Sequence, residues 1–127
     1  MNVDSLLKKL RYKKSFIAQI VNLPEELDEI SKMVKTRDES AELCDFSLLF
    51  IKNHKELLLY FLESIECGKN ESIFWLAYPK KSGKKASDLN RDSIWQSIKQ
   101  YGYRPASMVS INETWSAMRV RPNTDIK

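Results

Sequence analysis

The chain has 127 residues, 43% hydrophobic and 30% charged, with a net charge of +4 at pH 7. That composition fits one soluble globular domain and argues against a disordered chain or a membrane protein. Three glycines, two cysteines and one histidine leave too little for a disulfide framework, a His/Cys metal centre or most glycine-loop enzymes.

The charge is segregated along the chain: residues 1–21 sum to +4, 22–66 to −6, 67–78 to zero and 79–127 to +6. Such polarity steers an anionic partner, although a lysine run is more often a solvated surface. Cys44 and Cys67 lie in apolar runs as buried thiols, which fits a reducing cytoplasm. The longest apolar stretch, Leu57 to Leu62, is far too short to span a membrane, and residues 1–14 lack a signal-peptide core.

In chain order, Val3 to Arg11 places Val3, Leu6, Leu7 and Leu10 at helical spacing and ends in basic residues that suit a helix C-terminus. Ser15 to Val21 reads as a buried strand. Glu25 to Lys35 follows as a helix with Leu23, Leu27, Ile30 and Val34 as its apolar stripe and Pro24 near its start. Thr36 to Leu43 is polar, with room for a short edge strand. Cys44 to Ile51 is a second strand. Asn53 and Glu56 have the spacing of a capping box for a helix from His54 to Cys67, with Leu57, Leu58, Phe61, Leu62 and Ile65 as core face and Gly68 as left-handed stop.

Ser72 to Tyr78 is a third strand, apolar on both faces and ended by Pro79. A basic loop, Lys80 to Ser87, leads to a helix starting near Asn90, stapled by Leu89 and Ile94 and stopped by Gly102. Pro105 to Ile111 and Thr114 to Arg121 form a hairpin across Asn112 and Glu113. Arg119 and Arg121 alternate with Met118 and Val120, as on a charge-protected edge strand.

Strands alternating with helices imply right-handed crossovers and a parallel sheet, and the short final loop makes its last pair antiparallel. The expected fold is a single α/β domain over 1–127, with 1–14 as helix and basic lead-in and 123–127 as a loose tail. It is a three-layer Rossmann-like, mostly parallel sheet with a C-terminal antiparallel β-hairpin, the architecture of class I methyltransferases.

Ligands of such sheets bind beyond the carboxyl ends of the strands, which here are Asn22 to Glu26, Lys52 to Lys55 and Tyr78 to Ser87. The first turn reads Asn22-Leu23-Pro24-Glu25-Glu26, without the glycine that lets a backbone approach a dinucleotide or adenosyl cofactor. Its four carboxylates, Glu25, Glu26, Asp28 and Glu29, repel a phosphate placed there. Adenosylmethionine, having no phosphate, is affected less. No cofactor is expected.

Ser82-Gly83-Lys84-Lys85 fails as a P-loop because Tyr78 and Lys85 stand where glycine and Ser/Thr are required. Asp88 and Asp92 suit a helix start better than a metal. Neither cysteine reaches His54, since Cys44 lies about 30 Å away along a strand and Cys67 about 20 Å along a helix. A serine nucleophile with His54 as base would have to be Ser82 or Ser87; a surface histidine in a helix first turn is the plainer reading. Tyr78, Lys80, Lys81, Lys84, Lys85, Arg91 and Arg104 make a basic constellation suited to a phosphate or a single-stranded nucleic acid. Trp75 and Trp95, nearby in sequence, read as core.

From Ser72 onward the chain resembles a small bacterial family, domain-of-unknown-function family 3052. The resemblance rests on Tyr78-Pro79-Lys80-Lys81, Asp88-Leu89-Asn90-Arg91-Asp92, Trp95, Gly102, Arg104-Pro105 and Glu113-Thr114-Trp115-Ser116-Ala117. It brings no established activity. It directs attention to Lys80, Lys81, Asp88, Arg91, Thr114 and Trp115, with Thr114 on the ligand side only if the strand before it runs parallel to the rest.

The leading expectation is a methyltransferase-like domain without catalysis. It binds an anionic small molecule, a nucleic acid or a protein through the basic segment 80–91, with Asn22, Asn53 and Tyr78 around an adjoining pocket. The alternatives are a divergent adenosylmethionine-dependent enzyme and a structural or oligomer subunit.

Overall fold

A computed structural model describes residues 2–36, 43–80 and 89–123. The elements run α1 (Val3–Lys9), β1 (Ile17–Val21), α2 (Glu29–Met33), β2 (Lys35–Thr36), β3 (Cys44–Phe50), α3 (His54–Glu66), β4 (Gly68–Pro79), α4 (Arg91–Lys99), β5 (Tyr103–Ser110) and β6 (Trp115–Pro122). Six strands form one sheet in the order β2-β1-β3-β4-β6-β5. The first four are parallel, and β6 lies antiparallel between β4 and β5.

Period-2 alternation sorts the sheet side chains onto two cores. Phe46, Leu48, Phe50, Trp75, Ala77, Trp115 and Ala117 pack with Val3, Leu6 and Leu7 of α1, with Leu10 at its C-cap, and with Leu27 and Ile30. On the opposite face Leu49, Phe74, Leu76, Met118 and Val120 pack with Leu57 and Phe61 of α3 and with Ile94 and Ile98 of α4. These are the expected three layers. Trp75 is buried, and its Nε1 donates to the Leu10 carbonyl at 2.8 Å, docking α1.

Several local expectations need correction. The segment Glu25 to Lys35 is not one helix but a 3-10 turn, Glu25–Leu27, and the five-residue α2. Pro24 and Asp28 supply no side-chain cap, and Val34 is already extended to feed β2, which pairs with Ile17 and Ala18. Gly68 is not a left-handed stop; it opens β4 opposite Cys44. A Cβ there would lie 2.5 Å from Ser72 Oγ, where residues 69–72 bulge out of register. Glycine serves clearance at this position. At Gly102 the expected left-handed turn is present, with φ +87°.

Leu58 and Leu62 do not join the core; they are 53% and 39% exposed, because the inward face of α3 is set by Leu57, Phe61 and the buried Ser64. The Ser64 backbone carbonyl accepts from Gln19 Nε2 at 2.9 Å, tying α3 to β1. Trp95 is 40% exposed, with the Lys99 ammonium 6.0 Å from its ring centroid. The Asn53 carboxamide caps Glu56 N–H as expected, but the Glu56 carboxylate accepts from Lys52 N–H rather than closing a box on Asn53. The reciprocal box lies at Asn90 and Ser93. The hairpin loop spans Ile111 to Thr114, held by Asn112 Oδ1 accepting from Thr114 and Trp115 N–H. Arg119 and Arg121 lie on an interior strand, not an edge, because β5 covers β6.

Candidate functional site

The chain leaves β1 on one side for β2 and returns on the other for β3, so the strand order reverses between β1 and β3. In an open parallel sheet that reversal leaves a crevice beyond the carboxyl ends. A cleft of 410 Å³ lies there, lined by Asn22, Leu23, Pro24, Glu25, Glu26, Phe50, Lys52, Glu56 and Trp115. Its volume is in the range of small-molecule sites.

Asn22 forms the turn that leaves β1. It takes φ +59°, a left-handed conformation that asparagine tolerates better than most side chains, and its Nδ2 donates to the Phe50 carbonyl at 3.2 Å. The conformation a glycine turn provides is therefore present, while the clearance is not. Phe50 and the fully buried Trp115 meet edge to face, with centroids 5.2 Å apart, and the Trp115 indole donates to Glu26 Oε1 at 3.5 Å. Glu25, Glu26 and Glu56 outnumber Lys52 in the lining, and Asp28 and Glu29 extend the acidic surface into a neighbouring groove. This lining opposes phosphate and carboxylate groups.

Asn53 and Tyr78 do not line the cleft. Asn53 caps α3, and Tyr78 points to the opposite core beside Leu76 and Met118. Tyr78 instead belongs to a second cluster at the carboxyl edge. It stands across from Ser116, which pairs in turn with Ser110. Burial pushes the Tyr78 hydroxyl above its ordinary range, against the opposing pull of the Ser116 hydrogen bond and the Arg91 charge. It remains a neutral phenol at physiological pH. Lys80 Nζ donates to Ser110 Oγ at 2.6 Å, and Lys80 N–H donates to the Thr114 carbonyl at 2.8 Å.

The structure thus gathers Tyr78, Lys80, Arg91 and Thr114 at one edge, with Asn22 and Trp115 at the adjoining cleft. Thr114 reaches this edge because β5, antiparallel to β6, runs parallel to the central strands. Lys81, Lys84, Lys85 and Asp88, together with Ser82 and Ser87, lie outside the described residues. Ser110 and Ser116 escaped sequence reasoning, because a loop centred on Asn112 and Glu113 sets Ser110 opposite Trp115, whereas the observed register sets it opposite Ser116. His54 Nε2 is 2.5 Å from Ser97 Oγ, joining α3 to α4. Among the described residues no set of His, Cys, Asp and Glu is arranged to hold a metal ion, and no helix is long and apolar enough to cross a membrane.

No protein-family model matches the chain, and no curated protein does. Solved structures do match its fold. A SAM-dependent methyltransferase from Aquifex aeolicus superposes with a TM-score of 0.62 at 13% identity, over 94% of this chain and 88% of that one. The ribosomal protein L11 methylase of Lactobacillus delbrueckii subsp. bulgaricus gives 0.58 at 8% identity, over 94% and 76%. The cleft lining sets two obstacles to adenosylmethionine, the cofactor in the first protein's name: the Asn22 side chain is tied across the turn, and Glu25, Glu26 and Glu56 oppose a ligand carboxylate. At these identities the likeness is one of fold: the chain has the α/β fold of class I methyltransferases, with the C-terminal antiparallel hairpin.

Proposed function

We propose that the protein is a methyltransferase-like binding domain, without catalysis, that holds an anionic group at the carboxyl edge of β4, β5 and β6. The observation carrying this reading is the convergence of Lys80 with Ser110 and of Tyr78 with Ser116 and Arg91. Two cations and three hydroxyls make a donor-rich surface suited to a phosphate or carboxylate. The basic residues Lys81, Lys84 and Lys85 follow in sequence, and on motif grounds we group the C-terminal half with family 3052. In calorimetric titration with inorganic pyrophosphate and simple nucleotides, saturable, salt-sensitive heat is expected from the wild type. Lys80→Gln with Arg91→Gln removes it. Silence of the wild type at low salt and millimolar ligand rejects the reading.

A second reading, a divergent adenosylmethionine-dependent enzyme, is favoured by the acid-lined cleft, since Glu25, Glu26 and Glu56 suit a sulfonium cation and ribose hydroxyls. Titration with adenosylmethionine separates the two. Heat that persists in the Lys80/Arg91 variant and is lost in Glu26→Gln supports the enzyme and displaces the anion site.

A further inference from the structure

Helix α3 packs on the sheet through Leu57, Phe61 and Ser64 and turns its other side to solvent. On that side Leu58, Leu59 and Leu62 are exposed. At about 100° per residue, Lys55, Leu62 and Glu66 fall between Leu58 and Leu59, so the five share one arc pointing away from the sheet. The other large apolar side chains that reach solvent, Met33, Leu43, Trp95, Tyr101 and Met108, come from other segments. Apolar residues scattered singly over a surface are ordinary, whereas a contiguous patch marks a contact.

The charges of this stripe run against the helix that bears them. Lys55 stands in the first turn and Glu66 is the last residue, with no basic side chain in the last turn. A helix dipole favours the reverse order, acids first and bases last. Among the described residues neither Lys55 nor Glu66 forms an ion pair. Neither the dipole nor a neighbour within the chain accounts for this order, whereas an antiparallel copy of the same helix does.

We propose that α3 is the interface of a two-fold symmetric dimer, in which a second copy of this chain covers the leucine stripe. In an antiparallel pair centred between Tyr60 and Phe61, Leu59 meets the partner's Leu62 while Lys55 meets the partner's Glu66. One register satisfies both matches, and symmetry doubles each. Leu62 then enters the notch between the partner's Leu58 and the partner's Leu59, as side-chain ridges fill grooves in helix packing. A parallel pair would set Lys55 against the partner's Lys55. A membrane surface fits less well, because Glu63 and Glu66 flank the stripe where an interfacial helix carries bases. One helix face per copy is at the small end of specific interfaces, so the association is reversible and depends on concentration.

Sedimentation equilibrium of the full chain over a concentration series tests the dimer. The wild type is expected to rise from its 14.9 kDa monomer mass toward twice that value. Leu59→Gln combined with Leu62→Gln weakens association about tenfold or more. Lys55→Glu alone sets acid against acid across the interface, and Glu66→Lys alone sets base against base, so each variant is more monomeric than the wild type. Mixed together, these two variants are expected to re-form the dimer, because each supplies the opposite sign to the other. Both charge changes suit the dipole of α3, so they keep the test open even if the leucine variant unfolds. Thermal melting of dilute protein verifies folding. The proposal is overturned by a wild type that stays monomeric at millimolar concentration, by undiminished association in the folded leucine variant, or by failure of the mixed charge variants to associate. Assembly beyond the dimer, or uptake of the wild type by phosphatidylserine vesicles through this face, overturns it as well.

Discussion

The Asn22 carboxamide bridges to the Phe50 carbonyl, fastening together the two strand ends between which the order of the sheet reverses. One residue thereby closes the turn in a left-handed conformation and brings a side chain into the lining of the adjoining cleft. Asn22→Gly keeps the conformation and loses only the bridge, about 1 kcal/mol. Asn22→Ala loses the bridge and strains the backbone, about 2 kcal/mol. Urea unfolding of both variants checks this order; an alanine variant as stable as the glycine variant would contradict it.

The two described glycines serve different ends. Gly102→Ala meets no neighbouring atom but carries φ +87°, so it should cost about 1–2 kcal/mol of conformational strain. Gly68→Ala collides with Ser72 Oγ and should cost about 1–3 kcal/mol. Adding Ser72→Gly should recover much of the Gly68→Ala loss and none of the Gly102→Ala loss. A double-mutant cycle measures the difference.

Asp45 gives an acid limb to stability. Its Oδ2 accepts from Ile17 N–H at 2.9 Å and its Oδ1 from Lys69 Nζ at 3.0 Å. The backbone bond leads in holding its carboxyl below the ordinary range; burial opposes it and Lys69 assists. Because the folded value lies below the unfolded one, the contribution is complete above the unfolded pKa of about 4. It is lost as pH falls through the folded value. Asp45→Asn should cost about 1 kcal/mol near neutrality, discounted for the half-exposed Lys69. The gap to wild type should close toward the acid end of a pH series of melting curves; a gap constant with pH refutes the assignment.

Trp75→Phe removes the indole donor that holds the Leu10 carbonyl and should cost about 1–3 kcal/mol. Loss is expected at α1 first. Amide exchange in residues 3–10 should accelerate while α3 stays protected, and uniform acceleration would contradict the docking role.

The two sides of α3 make opposite predictions. Leu57→Ala opens the core and should cost about 2–5 kcal/mol. Leu59→Gln, at 60% exposure, should stay within about 0.5 kcal/mol of wild type. Thermal unfolding distinguishes them.

The alternation of strands and helices was legible because period 2 and period 3.6 are local properties of sequence. The stops and caps at Asn53, Asn90 and Gly102 were legible because each acts within a turn. The core face of α3 is only partly legible, since several leucines compete for one inward face and only the neighbours of the helix decide among them. The role of Gly68 is illegible for the same reason: its need for clearance comes from Ser72 across a bulge, not from its own backbone angle.

The sequence by itself determined the order of elements, the apolar faces of the strands and the absence of a glycine turn after β1. Only the tertiary structure decided where the charges fall. Strand order is a non-local outcome of crossover packing. It carried Glu25, Glu26 and Glu56 to the carboxyl edge, where Lys80 and Arg91 also lie, and Arg104, Arg119 and Arg121 to the amino edge, so the segregation along the chain became a mixed edge and an arginine-bearing one.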